Sequence, residues 1–241
     1  MIAPSNSDLL WIKIRLAEPR LFAATDIFWH SPDLRTLLPH FLVQAHLLMC
    51  NGLTMMTVAR DRALALPEDP VATELSAYLA VHLKEESGHE AWLLDDIRTL
   101  GLSEDEVLQA RPTRSLVDLI GAQYFWMTHV HPVAIMGYLI LLEGYAPLVP
   151  QLEDIRQRTG APATAFRCLK AHAEDDPAHL ADLNRALDGM DLNASQAKAV
   201  ALCAFAAIDG LASMFEELAS THLPPDVHLV QGPTERAHAA A

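Results

Sequence analysis

The chain has 241 residues, of which 51% are apolar and 20% charged, so it is long enough to bury a sizeable core. Its 31 Asp and Glu residues against 17 Lys and Arg give a formal charge of −14, which would repel phosphate backbones and argues against a nucleic-acid partner. Three cysteines without a Cys-x-x-Cys pair exclude a disulfide framework and a cysteine zinc site.

Helix signals dominate the sequence, and strand signals are almost absent. Ser31-Pro32 and Asp69-Pro70 each supply an N-cap residue followed by a first-turn proline, and Asn193 with Gln196 resembles a capping box. Pro39 could split off the first turn of its helix, and a break is expected before Pro132. The predicted helices cover approximately residues 9–18, 33–65, 70–100, 115–144 with a break near 131, 151–158, 163–187 and 193–220. The sequence therefore predicts an all-α, up-down bundle of about seven helices in a single domain over residues 1–241, with 232–241 as a flexible tail.

The start of the chain and its apolar segments predict a cytoplasmic protein with no membrane partner. No basic segment leads into an apolar run at the N-terminus, so no signal peptide is expected. The longest apolar run, from Val133 to Leu142, is too short to span a bilayer and is followed by Glu143.

Two stretches of the chain place histidines and carboxylates at helical spacing. His82 to His89 reads His-Leu-Lys-Glu-Glu-Ser-Gly-His, and His172 to His179 reads His-Ala-Glu-Asp-Asp-Pro-Ala-His. Residues at i, i+3, i+4 and i+7 share one face of a helix, so each stretch could present two imidazoles and a carboxylate to one point. Satisfied core histidines and a solvated acidic face would explain either stretch alone. Two such stretches in one chain favour a metal site, because buried charge is costly unless it is paired or bound to a metal.

A third candidate carboxylate, Glu143, ends the apolar run. It shares a helical face with Met136 and Ile140, which points it inward, whereas Gly144 directly after it is typical of a helix end near solvent. The candidate metal ligands are His82, Glu86 (with Glu85 as the alternative), His89, Glu143, His172, Asp176 and His179. Imidazole and carboxylate ligands suit iron or manganese. Seven candidates suit two ions bridged by a carboxylate, for which Glu143 is the preferred residue, while Glu174 and Asp175 are assigned to the solvated side.

These motifs resemble the heme-oxygenase-like diiron oxidases, which share a helical fold with heme oxygenase but bind non-heme iron. The resemblance rests on Glu-Glu-Ser-Gly-His at 85–89, on Leu142-Glu143-Gly144 and on His172-x3-Asp176-x2-His179, and it covers roughly residues 35–185. At His82 relatives often carry a Glu, so either His82 is itself a ligand or the carboxylate comes from Glu86. Some relatives also draw a carboxylate from the preceding helix, where the polar candidates of this chain are His40, Gln44, His46 and Asn51.

The resemblance implies a heme-oxygenase-like fold, two Fe(II) ions with manganese as the alternative metal, and O2 as a co-substrate. It implies a small-molecule substrate, preferably an amino acid or derivative, that is oxidised in a biosynthetic pathway. N-oxygenation, oxidative C–C cleavage, desaturation and nitrile formation are the reaction types it implies, with no catalytic residue beyond the metal ligands. We further expect a homodimer.

Four alternatives remain open at this point. The first is a metal-free enzyme of the same fold, such as a TenA-like hydrolase or a cofactorless PqqC-like oxidase. The second is a ferritin-like diiron carboxylate protein, which would use Glu86-x-x-His89 and Asp176-x-x-His179 as its two pairs and would leave His172 surplus. The third is a heme-binding member of the fold, and the fourth is a non-catalytic interaction bundle.

Overall fold

The computed structural model describes residues 4–220, and over that range the chain forms α-helices joined by short turns, with no β-strand. The helices are α1 (Asn6–Ala17), α2 (Pro19–Trp29), α3 (Leu34–Leu64), α4 (Pro70–Glu86), α5 (His89–Arg98), α6 (Glu104–Leu108), α7 (Arg114–His129), α8 (Ile135–Gly144), α9 (Val149–Thr159), α10 (Arg167–Gly189) and α11 (Ala194–Ser220). Two 3-10 segments, Pro132–Ala134 and Ala163–Phe166, precede α8 and α10. The predicted tail at 232–241 lies outside the described residues.

Two of the three predicted capping signals mark real helix ends. The third, Ser31-Pro32, does not, because α3 begins at Leu34 after Asp33 and has no side-chain cap, while the Ser31 hydroxyl accepts from the Asp33 N–H in the turn before it. The Asp69 carboxylate accepts hydrogen bonds from the backbone N–H groups of Val71 and Ala72, and Asn193 and Gln196 form the reciprocal bonds of a capping box. Pro39 differs from its prediction, because it lies inside α3 and does not open a separate helix. Its neighbours Leu38 and Phe41 are buried, and this packing offsets the hydrogen bond that a proline removes from a helix.

The segment predicted as one helix over residues 70–100 is two helices, α4 and α5. Gly88 separates them with a φ of +103°, a left-handed conformation that is costly for any residue with a Cβ. Glu86 is the last residue of α4 and His89 is the first of α5. The break therefore re-aims the chain between two candidate ligands, which a continuous helix would have fixed three residues apart on one face.

The described helices share one hydrophobic core, in which α11 packs against α1, α2, α7 and α8. The packing of α8 on α11 requires a glycine, because a Cβ on Gly137 would lie 2.1 Å from the carbonyl oxygen of Val200. On the other side, α10 packs against α5 and α8, and α3 packs against α4 and α5. This arrangement confirms the all-α bundle and brings α4, α5, α8 and α10 around one region of the core.

Two helices, α3 and α11, are long and apolar enough to cross a membrane when judged by length and composition alone. The bent pair formed by residues 132–144 and 149–159 would count as a third span if it were taken as one. Within the apolar windows of α3 and α11, 50% and 61% of the residues are buried inside the protein. Packing in the core therefore accounts for much of their apolar character, and the expected absence of a membrane partner stays a prediction.

Candidate metal centre

The first part of the site comes from the end of α4 and the start of α5. His82 and Glu86 lie one turn apart on α4, and both are buried, as is His89. The structure distinguishes between the two alternative ligands Glu85 and Glu86, because the Glu86 side chain is 10% exposed and that of Glu85 is 48% exposed. Glu86 is therefore the carboxylate that points into the protein.

The second part comes from α8 and α10. Glu143 lies near the end of α8, and its side chain is only 9% exposed. It therefore points inward, as expected from the helical face that it shares with the buried residues Met136 and Ile140. On α10 the residues His172, Asp176 and His179 follow one face at i, i+4 and i+7. The Pro177 ring does not break α10, and the expected solvated acids Glu174 and Asp175 are exposed.

Glu86 lies at the middle of the cluster that these helices form. Its Oε2 atom is 3.1 Å from His89 Nδ1, and its Oε1 atom is 3.2 Å from His179 Nδ1. Glu143 approaches from the other side, with Oε2 3.5 Å from His179 Nδ1 and Oε1 3.7 Å from His82 Nε2. The carboxylate of Glu86 thus joins an imidazole from α5 to an imidazole from α10.

The donor atoms form three overlapping groups in which all atoms lie within 4.8 Å of one another. One contains Glu86, His89 and His172, and we call it the His89 group. The other two share His179 and are called the His179 groups: His82, Glu86 and His179 in one, and Glu143, Asp176 and His179 in the other. The structure therefore brings together all seven side chains that the sequence singled out, and Glu86 is common to both sides of the cluster.

Buried donor atoms without hydrogen-bond partners concentrate in this cluster. Eight buried side-chain N or O atoms of the described chain lack a partner, and five belong to the seven candidate ligands. Those five are His82 Nε2, Glu86 Oε1, Glu143 Oε2, His172 Nε2 and His179 Nδ1. Among them, Glu86 Oε1 and Glu143 Oε2 lie 3.2 and 3.5 Å from His179 Nδ1, as charged contacts without hydrogen-bond geometry. An unsatisfied buried polar group costs about 1–3 kcal/mol, so proteins rarely leave several together unless something binds them. Their residue types, imidazole and carboxylate, fit iron or manganese.

Burial and mutual charge shift the pKa values of the cluster strongly. Burial raises the pKa of Glu143 to about 7, helped by the carboxylates of Asp176 and Glu86 and opposed by His179. The charged contact with the Glu143 carboxylate raises the pKa of His179 to about 9. Burial would lower the pKa of His172, but its hydrogen bond with Asp176 and the neighbouring Cys168 thiol outweigh burial and raise that pKa to about 11. Burial lowers the pKa of His82. The metal-free cluster therefore holds protons that a cation would displace.

The polar residues of the preceding helix α3 do not join these groups. Gln44 hydrogen-bonds to the backbone of Arg111 and Thr113, and Asn51 donates to the carbonyl of Leu47. His46 is buried, and its Nε2 atom lies 3.7 Å from Cys50 Sγ. No carboxylate ligand is thus contributed by α3.

Three further side chains that sequence reasoning did not assign to the centre lie against it. The Tyr78 ring stacks on His82 with centroids 5.5 Å apart, and Trp92 lies 4.6 Å from His89 by the same measure. The Cys168 thiol contacts the carbonyl oxygen of His89 at 3.5 Å. Helical spacing could have indicated Tyr78 and Cys168, since each precedes a candidate histidine by four residues.

Two solved structures share this fold over most of their length. One is a domain of unknown function with a heme oxygenase-like fold from Shewanella denitrificans OS217, which has 18% identity and a TM-score of 0.67, with 88% of each chain covered. The other is a TenA homolog from Pseudomonas syringae pv. tomato str. DC3000, which has 13% identity and a TM-score of 0.67. The matched region covers 89% of this chain and 93% of the TenA homolog. At these identities the likeness shows the fold alone, which is the heme-oxygenase-like fold that the resemblance implied.

The sequence itself matches a family model. No curated protein matches the chain. The model described as "iron-containing redox enzyme" matches residues 53–212, about two thirds of the chain, and that range contains all seven candidate ligands. The chain therefore belongs to the family of iron-containing redox enzymes.

Proposed function

We propose that this protein is a non-heme dinuclear iron oxidase or oxygenase that uses O2 to oxidise a small molecule. The observation that carries the proposal is the set of five partnerless, buried donor atoms on side chains from α4, α8 and α10. Four imidazoles and three carboxylates make up the three overlapping donor groups, and no thiol belongs to any of these groups in the described residues. This donor set fits iron and explains why polar atoms are left unpaired in a core.

The cluster contains enough donor atoms to hold two ions. One would be held by the His89 group, and the other by the His179 groups, with Glu86 between them. This geometry favours Glu86 as the bridging carboxylate, in place of the sequence-based preference for Glu143. Glu143 and Asp176 would then serve the ion on the His179 side, and His82 would be a ligand there. Three carboxylates offset most of the charge of two divalent cations, which lowers the cost of burying them.

Two ferrous ions in this place would supply the electrons with which O2 is reduced beside a bound substrate. The chain's own residues hold the donor atoms in position and limit access of water. Tyr78 covers the ring of His82, and its hydroxyl is buried without a partner in the described structure. Trp92, which is 52% exposed, covers His89 on the side facing solvent. These contacts fix the planes of two imidazoles, which helps to orient their nitrogens.

Membership of the iron-containing redox family supports iron chemistry over the metal-free alternative. The TenA homolog shares the fold at 13% identity, and this gives no support for a shared activity. A metal-free hydrolase would also leave the buried nitrogens His82 Nε2 and His172 Nε2 without hydrogen-bond partners. An amino acid or derivative as the substrate, a biosynthetic role, a cytoplasmic location and a homodimer remain proposals that rest on the resemblance alone.

The test is oxygen consumption by protein that has been loaded anaerobically with Fe(II). We expect oxygen uptake that depends on one member of a panel of amino acids and their derivatives, and that disappears in His179→Ala. His30→Ala is the matched control, because His30 is exposed and hydrogen-bonds only within its own helix end. Oxygen uptake no faster than that of the same Fe(II) in buffer, with every panel member, would contradict the proposal. Turnover that survives removal of metal would favour the metal-free alternative.

A further inference from the structure

Asp96 on α5 is a fully buried acid that belongs to none of the donor groups. A buried carboxylate is costly unless its oxygens are satisfied. Both oxygens are satisfied by the first two residues of α10. Oδ2 accepts a hydrogen bond from the backbone N–H of Cys168 at 2.7 Å, and Oδ1 accepts one from Arg167 Nε at 2.8 Å. The carboxylate thus ties α5 to the start of α10.

Helix α10 has no side-chain cap of its own. Phe166 precedes it and supplies no capping hydrogen bond. The first N–H groups of any helix lack partners within the helix, and a negative charge there is favoured by the helix dipole. Asp96 therefore acts as the cap of α10, although it stands 72 residues earlier in the chain.

This cap lies next to the two imidazoles of the His89 group. His89 precedes Asp96 by seven residues on α5, and His172 follows Cys168 by four on α10, so each pair shares a helical face. The Cys168 thiol contacts the His89 carbonyl oxygen at 3.5 Å, and the two rings meet edge to face with centroids 4.9 Å apart. The spacing of His89 and His172 thus depends on how the start of α10 sits against α5.

We propose that Asp96 is a positioning residue for the metal centre: by capping α10 from α5, it sets the spacing of His89 and His172 and so the affinity for the ion that they hold with Glu86. The inference rests on the proposed metal centre. His172 lies about 6 Å along α10 from the capped residue, whereas His179 lies about 16 Å along it, at about 1.5 Å per residue. His179 also has its own contacts with Glu86 and Glu143. Loss of the cap therefore affects the His89 group first.

The chain offers a matched control in Glu217 on α11. Its carboxylate accepts hydrogen bonds from the backbone N–H groups of Arg114 and Ser115 at 3.3 and 3.0 Å, at the start of α7. It is therefore also a cap supplied by a neighbouring helix. Glu217 belongs to none of the donor groups.

The experiment is an anaerobic calorimetric titration of Fe(II) into the full chain and into Asp96→Ala and Glu217→Ala, with thermal unfolding of each metal-free protein. Alanine removes the acceptor oxygens of each cap, so we expect two ions in the parent and a lower Tm in both variants. In Asp96→Ala alone, we expect one ion to bind as before and the other about tenfold or more weakly, as for other residues that orient ligands. Arg167→Gln should retain both ions, because it leaves the backbone cap in place and its side chain is 59% exposed.

Three results would overturn the positioning role. Asp96→Ala could bind both ions as the parent does, Glu217→Ala could weaken the same ion equally, or Arg167→Gln could reproduce the loss. Should Asp96→Ala fail to fold, Asp96→Glu keeps the charge and lengthens the side chain by one methylene, and the same weakening is expected of it. A parent chain that binds no Fe(II) would refute the proposed function itself, which is a different result from a parent with two ions and an unaffected Asp96→Ala.

Discussion

Replacement of Glu86 by Gln is expected to abolish tight binding of both ions. Glu86 is the one residue common to the His89 group and a His179 group, and its two oxygens lie 3.1 and 3.2 Å from imidazoles of α5 and α10. An amide of the same size offers one neutral oxygen and one NH2 group with two N–H donors, so it cannot bind a cation at both ends. Both affinities should fall by at least about 100-fold, the upper end observed for residues that only orient ligands.

The loss of metal affinity in Glu86→Gln can be measured by thermal unfolding. At a free metal concentration about 100 times the dissociation constant, each ion stabilises the folded chain by about 2.7 kcal/mol. Two ions then contribute about 5 kcal/mol, and a chain of this size gains about 2–4 °C in Tm for each kcal/mol. The parent should therefore gain about 10–20 °C on loading with Fe(II) or Mn(II), whereas Glu86→Gln should gain almost nothing.

Glu85→Gln is the control, because Glu85 is the adjacent acid, lies 3.7 Å from His82 and is largely in solvent. It should keep the full metal-induced rise in Tm. Metal-free Glu86→Gln should remain folded, since Gln has the same size and its amide oxygen can still accept the hydrogen bond from His89 Nδ1. An unchanged metal-induced rise in Glu86→Gln, or an equal loss in Glu85→Gln, would refute the assignment of Glu86 as the shared carboxylate.

Three further predictions follow from the same geometry. His172→Ala should keep one ion, because His172 belongs only to the His89 group, and loss of both ions in a metal titration would contradict this. The pKa values of His172 (about 11) and His179 (about 9) lie above the ordinary histidine value of 6.5. Protonation of these two imidazoles therefore stabilises the folded metal-free chain fully below about pH 6.5, and this stabilisation is lost as the pH rises through 9 to 11. Metal binding near pH 7 should therefore release protons and tighten between pH 6 and 8, and calorimetry that shows no proton release would count against it. Gly137→Ala should lower the free energy of unfolding by about 3 kcal/mol, because its Cβ would meet the backbone of α11. Gly121→Ala has open space around its Cβ and should not destabilise the chain, and unfolding in denaturant compares the two variants.

The fold class was predictable because its signals are local. Asp69, Asn193 and Gln196 cap helices through residues two or three positions away, so the sequence shows both partners at once. The break at Gly88 was not predicted, although Ser87-Gly88 is a dipeptide typical of turns, because the helical spacing of His82, Glu86 and His89 was given more weight. The place of Pro39 inside α3 was not predicted either, because it is stabilised by core contacts.

The sequence indicated which side chains would lie close together, but it did not indicate how they are arranged. Helical spacing placed His172, Asp176 and His179 on one face, and the structure keeps them there. Spacing could not choose between Glu85 and Glu86, since adjacent residues on a helix both border the same face. It also could not show that Glu86 would lie between imidazoles of two other helices, which depends on how α5 and α10 pack.

Asp96 is the clearest example of a residue whose role could not be predicted from the sequence. The two residues that donate hydrogen bonds to it are 71 and 72 positions further along the chain, and no local pattern connects an acid in α5 to the start of α10. Its position on the inward face of α5 was visible from periodicity alone. The bonding partners that give it a role appear only in three dimensions.

The most direct test of the proposed centre is the amount of iron bound after anaerobic reconstitution. The chain is incubated with excess Fe(II), separated from free metal by gel filtration, and analysed for iron and protein, with Glu86→Gln treated in parallel. We predict two irons per chain in the parent and almost none in Glu86→Gln. A parent that retains only trace iron and trace manganese under these conditions would contradict the dinuclear centre.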